Sequence, residues 1–166
     1  MIIRDETPAD ADAITAITAA ALRDHPYSRQ TEPFIIRELR RAGALTLSLV
    51  AEIDGRVVGQ VAVSPVAMSD GTPDWYGLGP VSVLPEYQRR GIGSALINAG
   101  LERLRAVGAR GCALVGDPAY YGRFGFRNRP ALVHDGVPQE FFVVLPFDGR
   151  VPQGHVTFHP AFHATD

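Results

Sequence analysis

The first part of the chain has the hydrophobic pattern of an opening strand followed by two helices. Residues 2–5, which begin with two isoleucines, predict a short opening strand. Thr7, Pro8 and Asp10 predict a helix start, because they supply a cap, a residue suited to the first helical position and negative charge in the first turn. A second helix is predicted from about Glu32 to Ala42, ended by Gly43. The apolar residues on the two buried faces recur at helical spacing: Ala13, Ile14, Ile17 and Ala21, then Phe34, Ile35 and Leu39.

Alternation with period two then replaces the helical pattern. Residues 45–53 and 56–63 are rich in β-branched and aliphatic side chains, and Asp54-Gly55 between them predicts a hairpin turn. Residues 75–84 predict another strand, in which two glycines and a proline indicate a bulge or a bend.

Helix and strand patterns alternate in the remainder of the chain. An amphipathic helix begins near Ile92 and ends at Gly108, and its apolar set is Ile92, Ala95, Leu96, Ala99, Leu101, Leu104 and Val107. A buried strand at 112–115 and a short helix at 118–124 follow. The last strands are predicted at 141–145 and 155–158, within a C-terminal segment of residues 127–166. The order β-α-α-β-β-β-α-β-α-β-β predicts one mixed α/β domain over residues 1–166, built around a single sheet.

Composition and charge narrow the class of function. The chain has 166 residues and a net charge of −2, so it offers no dominant positive field for a nucleic-acid backbone. No apolar run approaches the roughly 20 residues of a membrane span, and the N-terminus lacks the order of a signal peptide. Cys112 is the single cysteine, which suits a reducing compartment and is interpreted as a buried structural thiol. We therefore expect a cytoplasmic protein that binds neither nucleic acid nor membrane.

The sequence Gln88-Arg89-Arg90-Gly91-Ile92-Gly93 lies between a predicted strand and a predicted helix. The first turn of a helix leaves backbone amides without partners, and glycines allow a ligand to approach the backbone. Because the segment also contains two positively charged arginines, it predicts a phosphate or pyrophosphate site. A Walker loop would need a lysine, and a dinucleotide-binding motif would need a third glycine; neither is present. A tight strand-to-helix turn with solvated arginines remains the alternative.

Two motifs at characteristic separation resemble the GNAT superfamily of N-acetyltransferases. The family motif Gln/Arg-x-x-Gly-x-Gly/Ala is matched at every fixed position by residues 88–93. The family's aromatic-Tyr-x-x-x-Gly-Phe segment is matched by residues 120–126. The resemblance covers the element order from Ile2 to about Phe126 and is sharp over residues 81–126. It implies an acyl-CoA N-acyltransferase-like fold: a twisted, mixed, mostly antiparallel sheet flanked by helices on both faces and splayed between its fourth and fifth strands.

The resemblance also implies the roles of individual residues. Acetyl-CoA would be the cosubstrate, and no metal is implied. Its pyrophosphate would bind at the loop, which comprises Gln88, Arg89, Arg90, Gly91, Ile92, Gly93 and Ser94. Its pantetheine arm would pair with the strand formed by Val81, Ser82 and Val83, where the amide of Val83 would polarise the thioester carbonyl. Tyr121 would protonate the departing thiolate; packing beside Phe124 and Phe126 is the alternative role.

The sequence leaves the general base and the acceptor open. The candidate bases are Glu52, Asp74, Asp117, His25 and His134, and Asp117 is equally suited to cap the short helix. His25 and Tyr27 lie in a loop that lines the acceptor pocket in the family, although a purely structural loop is as compatible with the sequence. The histidines at 155, 159 and 163 form no recognisable metal set.

Three functions compete at this point. Transfer of the acetyl group to a primary amine of a small molecule or peptide is favoured. A non-catalytic acyl-CoA sensor would carry the same loop, and a nucleotide-binding enzyme would prefer ATP or NAD. The sequence is also compatible with a homodimer formed through an exposed strand of residues 127–166.

Overall fold

A computed structural model describes residues 1–26 and 28–166. Its helices are α1 Ala11–Leu22, α2 Glu32–Arg41, α3 Ile92–Ala106 and α4 Pro118–Tyr121. Its strands are β1 Ile2–Asp5, β2 Leu47–Ile53, β3 Arg56–Met68, β4 Trp75–Val83, β5 Gly111–Val115, β6 Leu132–Val133, β7 Phe142–Pro146 and β8 Gly154–Phe158. The strand order is β1-β2-β3-β4-β5-β7, with β8 paired to both β3 and β6. The predicted mixed α/β fold with a mostly antiparallel sheet is confirmed.

Backbone contacts divide the chain into two compact units. The first contains residues 1–64, 79–100 and 160–166, and the second contains residues 65–78 and 101–159. The loop of residues 88–94 belongs to the first unit, and Tyr121 belongs to the second.

Helices cover both faces of the sheet in the first unit. Strands β1, β2 and β3 pair antiparallel, and the predicted hairpin turn forms with positive φ at Asp54 and Gly55. On one face, Ile14 of α1 and Ile36 of α2 pack with residues of β2 and β3. On the other face, α3 lies so close to Gly59 that a Cβ atom there would be 3.1 Å from Leu96 Cδ1. Gly59 therefore allows the first turns of α3 to pack directly on the sheet.

An ion-pair cluster fixes the N-terminus of this unit. Arg4 Nη1 lies 2.7 Å from Asp10 Oδ2, and Arg4 Nη2 lies 3.2 Å from Glu52 Oε1. The amide of Thr7 donates to Asp10 Oδ2 at 2.7 Å, and the predicted helix start is a 3₁₀ turn, Pro8–Asp10, that leads into α1. The hydrogen bonds from Arg4 hold the pKa of the buried Asp10 well below its usual range.

The second unit is built around strand β5. The start of β4 pairs parallel with β5, and β5 pairs antiparallel with β7. Residues Val66–Met68 of β3 pair with β8, which explains why β3 continues five residues beyond its predicted end at Val63. The two-residue strand β6 was not predicted, because so short a segment has no period of its own. The core of the unit comprises Met68, Trp75, Ala113, Leu132, Phe142, Val144 and Val156.

Two predicted core positions are exposed, and Phe34 is not fully buried. Val107 is 66% exposed because α3 ends at Ala106. Val115 is 46% exposed at the end of β5. Phe34 is only partly buried, with the Arg37 guanidinium 5.2 Å above its ring, and Ile36 takes the buried position on α2.

Candidate active site

The end of strand β4 leads into the glycine-containing loop. The amide of Leu84 donates to the carbonyl of Val58 on β3 at 2.9 Å. Because backbone groups alternate in direction along a strand, those of Ser82 also face β3, whereas those of Val81 and Val83 face the opposite edge. The Ser82 hydroxyl is buried and has no hydrogen-bond partner within residues 1–26 and 28–166.

The side chain of Gln88 binds the strand that precedes the loop. One turn of 3₁₀ helix, Pro85–Tyr87, reverses the chain so that Gln88 Nε2 donates to the carbonyl oxygen of Val83 at 2.9 Å. This contact fixes the first residue of the loop to the end of β4. Gln88 was predicted from the motif to be a cofactor-binding residue; in the structure, its side-chain amide makes this internal hydrogen bond.

The backbone of the loop has the geometry of an anion site. Arg89 and Gly91 have φ angles of 65° and 80°, in the left-handed region that produces a tight curl. At the start of helix α3, a hydrogen bond runs from Ala95 N to Gly91 O at 3.0 Å. The amides of Ile92 and Gly93 therefore precede the helical hydrogen-bond pattern, where the partial positive charge of the helix favours an anion.

Arginine side chains add charge around this helix start. The Arg90 and Arg56 guanidinium carbons lie 5.2 and 5.8 Å from the ring centre of Tyr87. Arg56 also forms an exposed ion pair with Glu86 at 3.4 Å, whereas Arg89 is exposed in the loop itself. The balance of charge at the loop is positive, as a pyrophosphate site requires.

Tyr121 is held by packing within the second unit. Its ring centre lies 5.0 Å from that of Tyr120 and 6.1 Å from that of Phe126, in edge-to-face arrangements. Burial raises the pKa of the Tyr121 phenol to about 12. The side chain is therefore a protonated donor throughout the neutral range, and the same contacts also give it the packing role that the sequence allowed.

The candidate bases have structural contacts of their own. Glu52 is paired with Arg4, and Asp117 caps α4 by accepting the amide of Ala119 at 2.9 Å. His134 Nδ1 lies 3.1 Å from the carbonyl oxygen of Val156, and its ring packs against Phe158 at 4.8 Å. His25 and Asp74 are exposed. None of these contacts assigns a general base.

Other sequence predictions concern Tyr27, Cys112, metals and membranes. Tyr27 lies outside the described residues. Cys112 is fully buried, and burial raises the pKa of its thiol, which agrees with the structural role predicted for it. In the described part of the chain, no three His, Cys, Asp or Glu side chains are grouped to hold a metal ion. No helix of residues 1–26 or 28–166 is long and apolar enough to cross a bilayer.

Comparison with known proteins decides the family. The Acetyltransferase (GNAT) family matches residues 14–126, which include the loop, α3 and Tyr121. The chain belongs to the GNAT family of acetyltransferases. The uncharacterized N-acetyltransferase YhbS of Escherichia coli strain K12 is 38% identical over 127 residues, which cover 76% of this chain and 73% of YhbS.

Solved GNAT structures share the whole fold. A GNAT family acetyltransferase from Brucella melitensis, in complex with acetyl-CoA, is 50% identical, covers 97% of both chains and superposes with a TM-score of 0.87. Escherichia coli YhbS in complex with CoA is 34% identical, covers 99% of this chain and 93% of its own, and has a TM-score of 0.88.

Two positions of this GNAT chain were missed by the sequence analysis. Gly59 was treated as an ordinary strand residue, although it admits α3 onto the sheet. Gly116 was not singled out, although it follows strand β5 directly and contacts the Tyr121 ring. A glycine inside a strand often marks a close approach by another group, and this was the available indication for Gly59. For Gly116, the indication was a glycine directly after a strand.

Proposed function

We propose that this chain transfers the acetyl group of acetyl-CoA to a primary amine of a small-molecule or peptide acceptor. The observation that carries the proposal is the positively charged loop at the start of α3, which has left-handed φ angles at Arg89 and Gly91 and matches the GNAT motif at every fixed position. The acetyl-CoA complex of the Brucella melitensis relative, at 50% identity over 97% of the chain, supports the choice of cosubstrate.

The loop would bind the pyrophosphate mainly through its backbone. The amides at the start of α3 would donate to the phosphate oxygens, and Arg89 and Arg90 would add charge. Gln88 would act indirectly, because the hydrogen bond from its side chain to Val83 holds the loop against strand β4. Val81 and Val83 would pair with the pantetheine arm, since their backbone groups face the edge opposite β3.

The proposed reaction requires three proton transfers. The ammonium form of the acceptor first loses a proton to water, because only the neutral amine can attack the thioester carbon. The carbon–nitrogen bond then forms and the carbon–sulfur bond breaks, while the amide of Val83 stabilises the developing oxyanion. The phenol of Tyr121 gives its proton to the departing thiolate and regains one from the former amine. The products are an N-acetyl compound and CoA with a free thiol.

We propose further that residues 1–166 act as one acetyltransferase domain in the cytoplasm. The length of the Brucella melitensis relative, covered to 97%, supports the first part of this proposal. The single cysteine, held as a buried thiol, supports the second.

The test is a transfer assay with a panel of primary amines. Purified protein is mixed with acetyl-CoA and polyamines, amino acids, aminoglycosides or peptide N-termini, and both thiol release and acetylated product are measured. We expect at least one amine for which the two signals rise in equal amounts. Binding of acetyl-CoA with no product from any amine would favour the sensor, and binding of ATP or NADH without CoA would favour a nucleotide enzyme.

A further inference from the structure

The ring of Tyr121 lies against a residue that has no side chain. A Cβ atom placed on Gly116 would lie 2.5 Å from Cε2 and 2.8 Å from Cδ2 of Tyr121. It would also lie 3.1 Å from Leu114 Cδ1. Carbon atoms do not approach so closely, so no other residue fits at 116 while the Tyr121 ring keeps its place.

The backbone at Gly116 is anchored on both sides. Its amide donates to the carbonyl of Phe141 at 2.8 Å, and the preceding strand β5 pairs with β7 through residues 111–115. The following residue, Asp117, caps α4 through its side chain. With its neighbours fixed in this way, the backbone resists displacement, and an added methyl group would displace the ring.

The ring has little room on its other sides. Phe126, which is 1% exposed, and Tyr120 both meet it edge to face. Phe124 lies 6.3 Å away, between ring centres. A displaced ring would therefore move outward and carry its hydroxyl group with it.

Glycine is needed at position 116 because a Cβ atom would clash with the Tyr121 ring, and not because of the backbone conformation. Ten other glycines of the described chain have positive φ angles, but Gly116 is not among them. Alanine could adopt its backbone conformation, so a substitution there tests the contact with the ring and not backbone strain.

We propose that Gly116 is a positioning residue for acetyl transfer, which sets the place of the Tyr121 hydroxyl by leaving room for the ring. This inference rests on the proposed function, in which that hydroxyl protonates the CoA thiolate. Misplacing a reacting group by about 1 Å can cost roughly 100-fold in rate.

The first experiment compares Gly116→Ala with Gly122→Ala. Gly122 is the matched control, because a Cβ atom there would meet only the end of the Arg127 side chain, at 3.4 Å. Both substitutions are made in the wild type and in Tyr121→Phe, and kcat and KM are measured with the best amine of the panel. We expect Gly116→Ala to lower kcat between about 10- and 100-fold in the wild type and less than about 2-fold in Tyr121→Phe. An equal loss in both backgrounds, or a loss also in Gly122→Ala, would overturn the proposal.

A second measurement needs no acceptor. The chain has five tyrosines, and fluorotyrosine incorporation gives each a ¹⁹F resonance, of which that of Tyr121 is the one lost in Tyr121→Phe. We expect Gly116→Ala to shift this resonance and increase its response to D₂O, with no change in Gly122→Ala. An unchanged Tyr121 resonance would overturn the proposal. A shifted resonance in a protein that acetylates no amine would mean that the contact is right and the proposed function is wrong.

A stability comparison covers the case in which Gly116→Ala folds poorly. Tyr121→Leu removes the ring that the new methyl group would strike. We expect Gly116→Ala to lower the melting temperature in the wild type and to have a smaller effect beside Tyr121→Leu. An equal effect in both backgrounds would contradict the proposed contact.

Discussion

The cofactor loop, residues 88–94, and the α4 segment, residues 116–126, are organised in different ways. In the function proposed above, the loop would act through its backbone, because two positive φ angles and a helix start give it the geometry of an anion site, while Arg89 and Arg90 are exposed to solvent. The α4 segment acts through side-chain packing, because Tyr121 is fixed by three aromatic rings and a glycine. Substitutions in the loop should therefore change coenzyme binding, and substitutions in the α4 segment should change turnover.

The largest effect is expected from removing the Tyr121 hydroxyl. Tyr121→Phe keeps the ring and its packing but loses the proton donor, so kcat should fall about 100-fold while the Kd of acetyl-CoA stays within about 2-fold. The measurement is steady-state kinetics together with calorimetry. Tyr120→Phe, one residue away, is the control and should be near wild type. Equal loss of affinity and turnover in Tyr121→Phe would contradict the claim that the loop governs coenzyme binding and the α4 segment governs turnover.

A smaller effect is expected from backbone strain in the loop. Gly91 has a φ of 80° and open space around its Cα, so Gly91→Ala is penalised only by conformation. That cost is about 1–2 kcal/mol, which predicts roughly tenfold weaker acetyl-CoA binding by calorimetry.

Gly71 offers a matched control for this strain. Its φ is 84°, its surroundings are equally open, and it lies in the turn before β4. Gly71→Ala should lower stability by a similar amount and leave the Kd of acetyl-CoA unchanged. If both variants weaken binding alike, the loop has no special role.

The sequence predicted the loop better than it predicted the surroundings of Tyr121. Glycines at fixed positions and a strand-to-helix transition are local features, so residues 88–93 could be interpreted from the chain alone. The contact between Gly116 and the Tyr121 ring depends on how β5, α4 and the Asp117 cap of α4 pack together. Its only trace in the sequence is a glycine that follows a strand.

The same reasoning explains the errors in the core. Ile36 and Phe34 are both compatible with the buried side of α2, and Ile36 is the one that is buried where α2 packs on β2 and β3. Gln88 was grouped with the binding residues because it belongs to the motif. Its bond to Val83 required the turn at Pro85–Tyr87 to be known.

The hydrogen bond from Gln88 to Val83 predicts that replacing Gln88 has a moderate effect on the affinity for acetyl-CoA. Gln88→Leu removes a donor worth about 1 kcal/mol, so acetyl-CoA binding should weaken about 3- to 10-fold as the loop loosens from β4. Gln139→Leu is the control, because the Gln139 amide also donates to backbone carbonyls, those of His134 and Val137. It should cost stability without changing affinity. Unchanged affinity in Gln88→Leu would remove the positioning role given to Gln88.

The smallest functional effect is expected at Asp10, which belongs to neither region. Because its folded pKa is depressed, Asp10 contributes stability that is present above the unfolded pKa of about 3.9 and is lost as pH falls through the folded pKa. Asp10→Asn should cost about 2 kcal/mol at pH 7, allowing for the partial exposure of Arg4. Between pH 7 and pH 3, the difference in melting temperature between Asp10→Asn and the wild type should narrow. Turnover at 25 °C should be the same in both proteins. A difference in melting temperature that stays constant with pH would show that it does not arise from the Arg4–Asp10 ion pair.

The central claim, that the loop of residues 88–94 holds the pyrophosphate of acetyl-CoA, is tested most directly by calorimetry with acetyl-CoA and acetylpantetheine. The two ligands carry the same thioester and arm, but acetylpantetheine lacks the pyrophosphate and nucleotide. We predict micromolar binding of acetyl-CoA and at least about 100-fold weaker binding of acetylpantetheine, since several charge-assisted hydrogen bonds are lost. Equal affinities, or no binding of acetyl-CoA at millimolar concentration, would contradict the assignment of the loop.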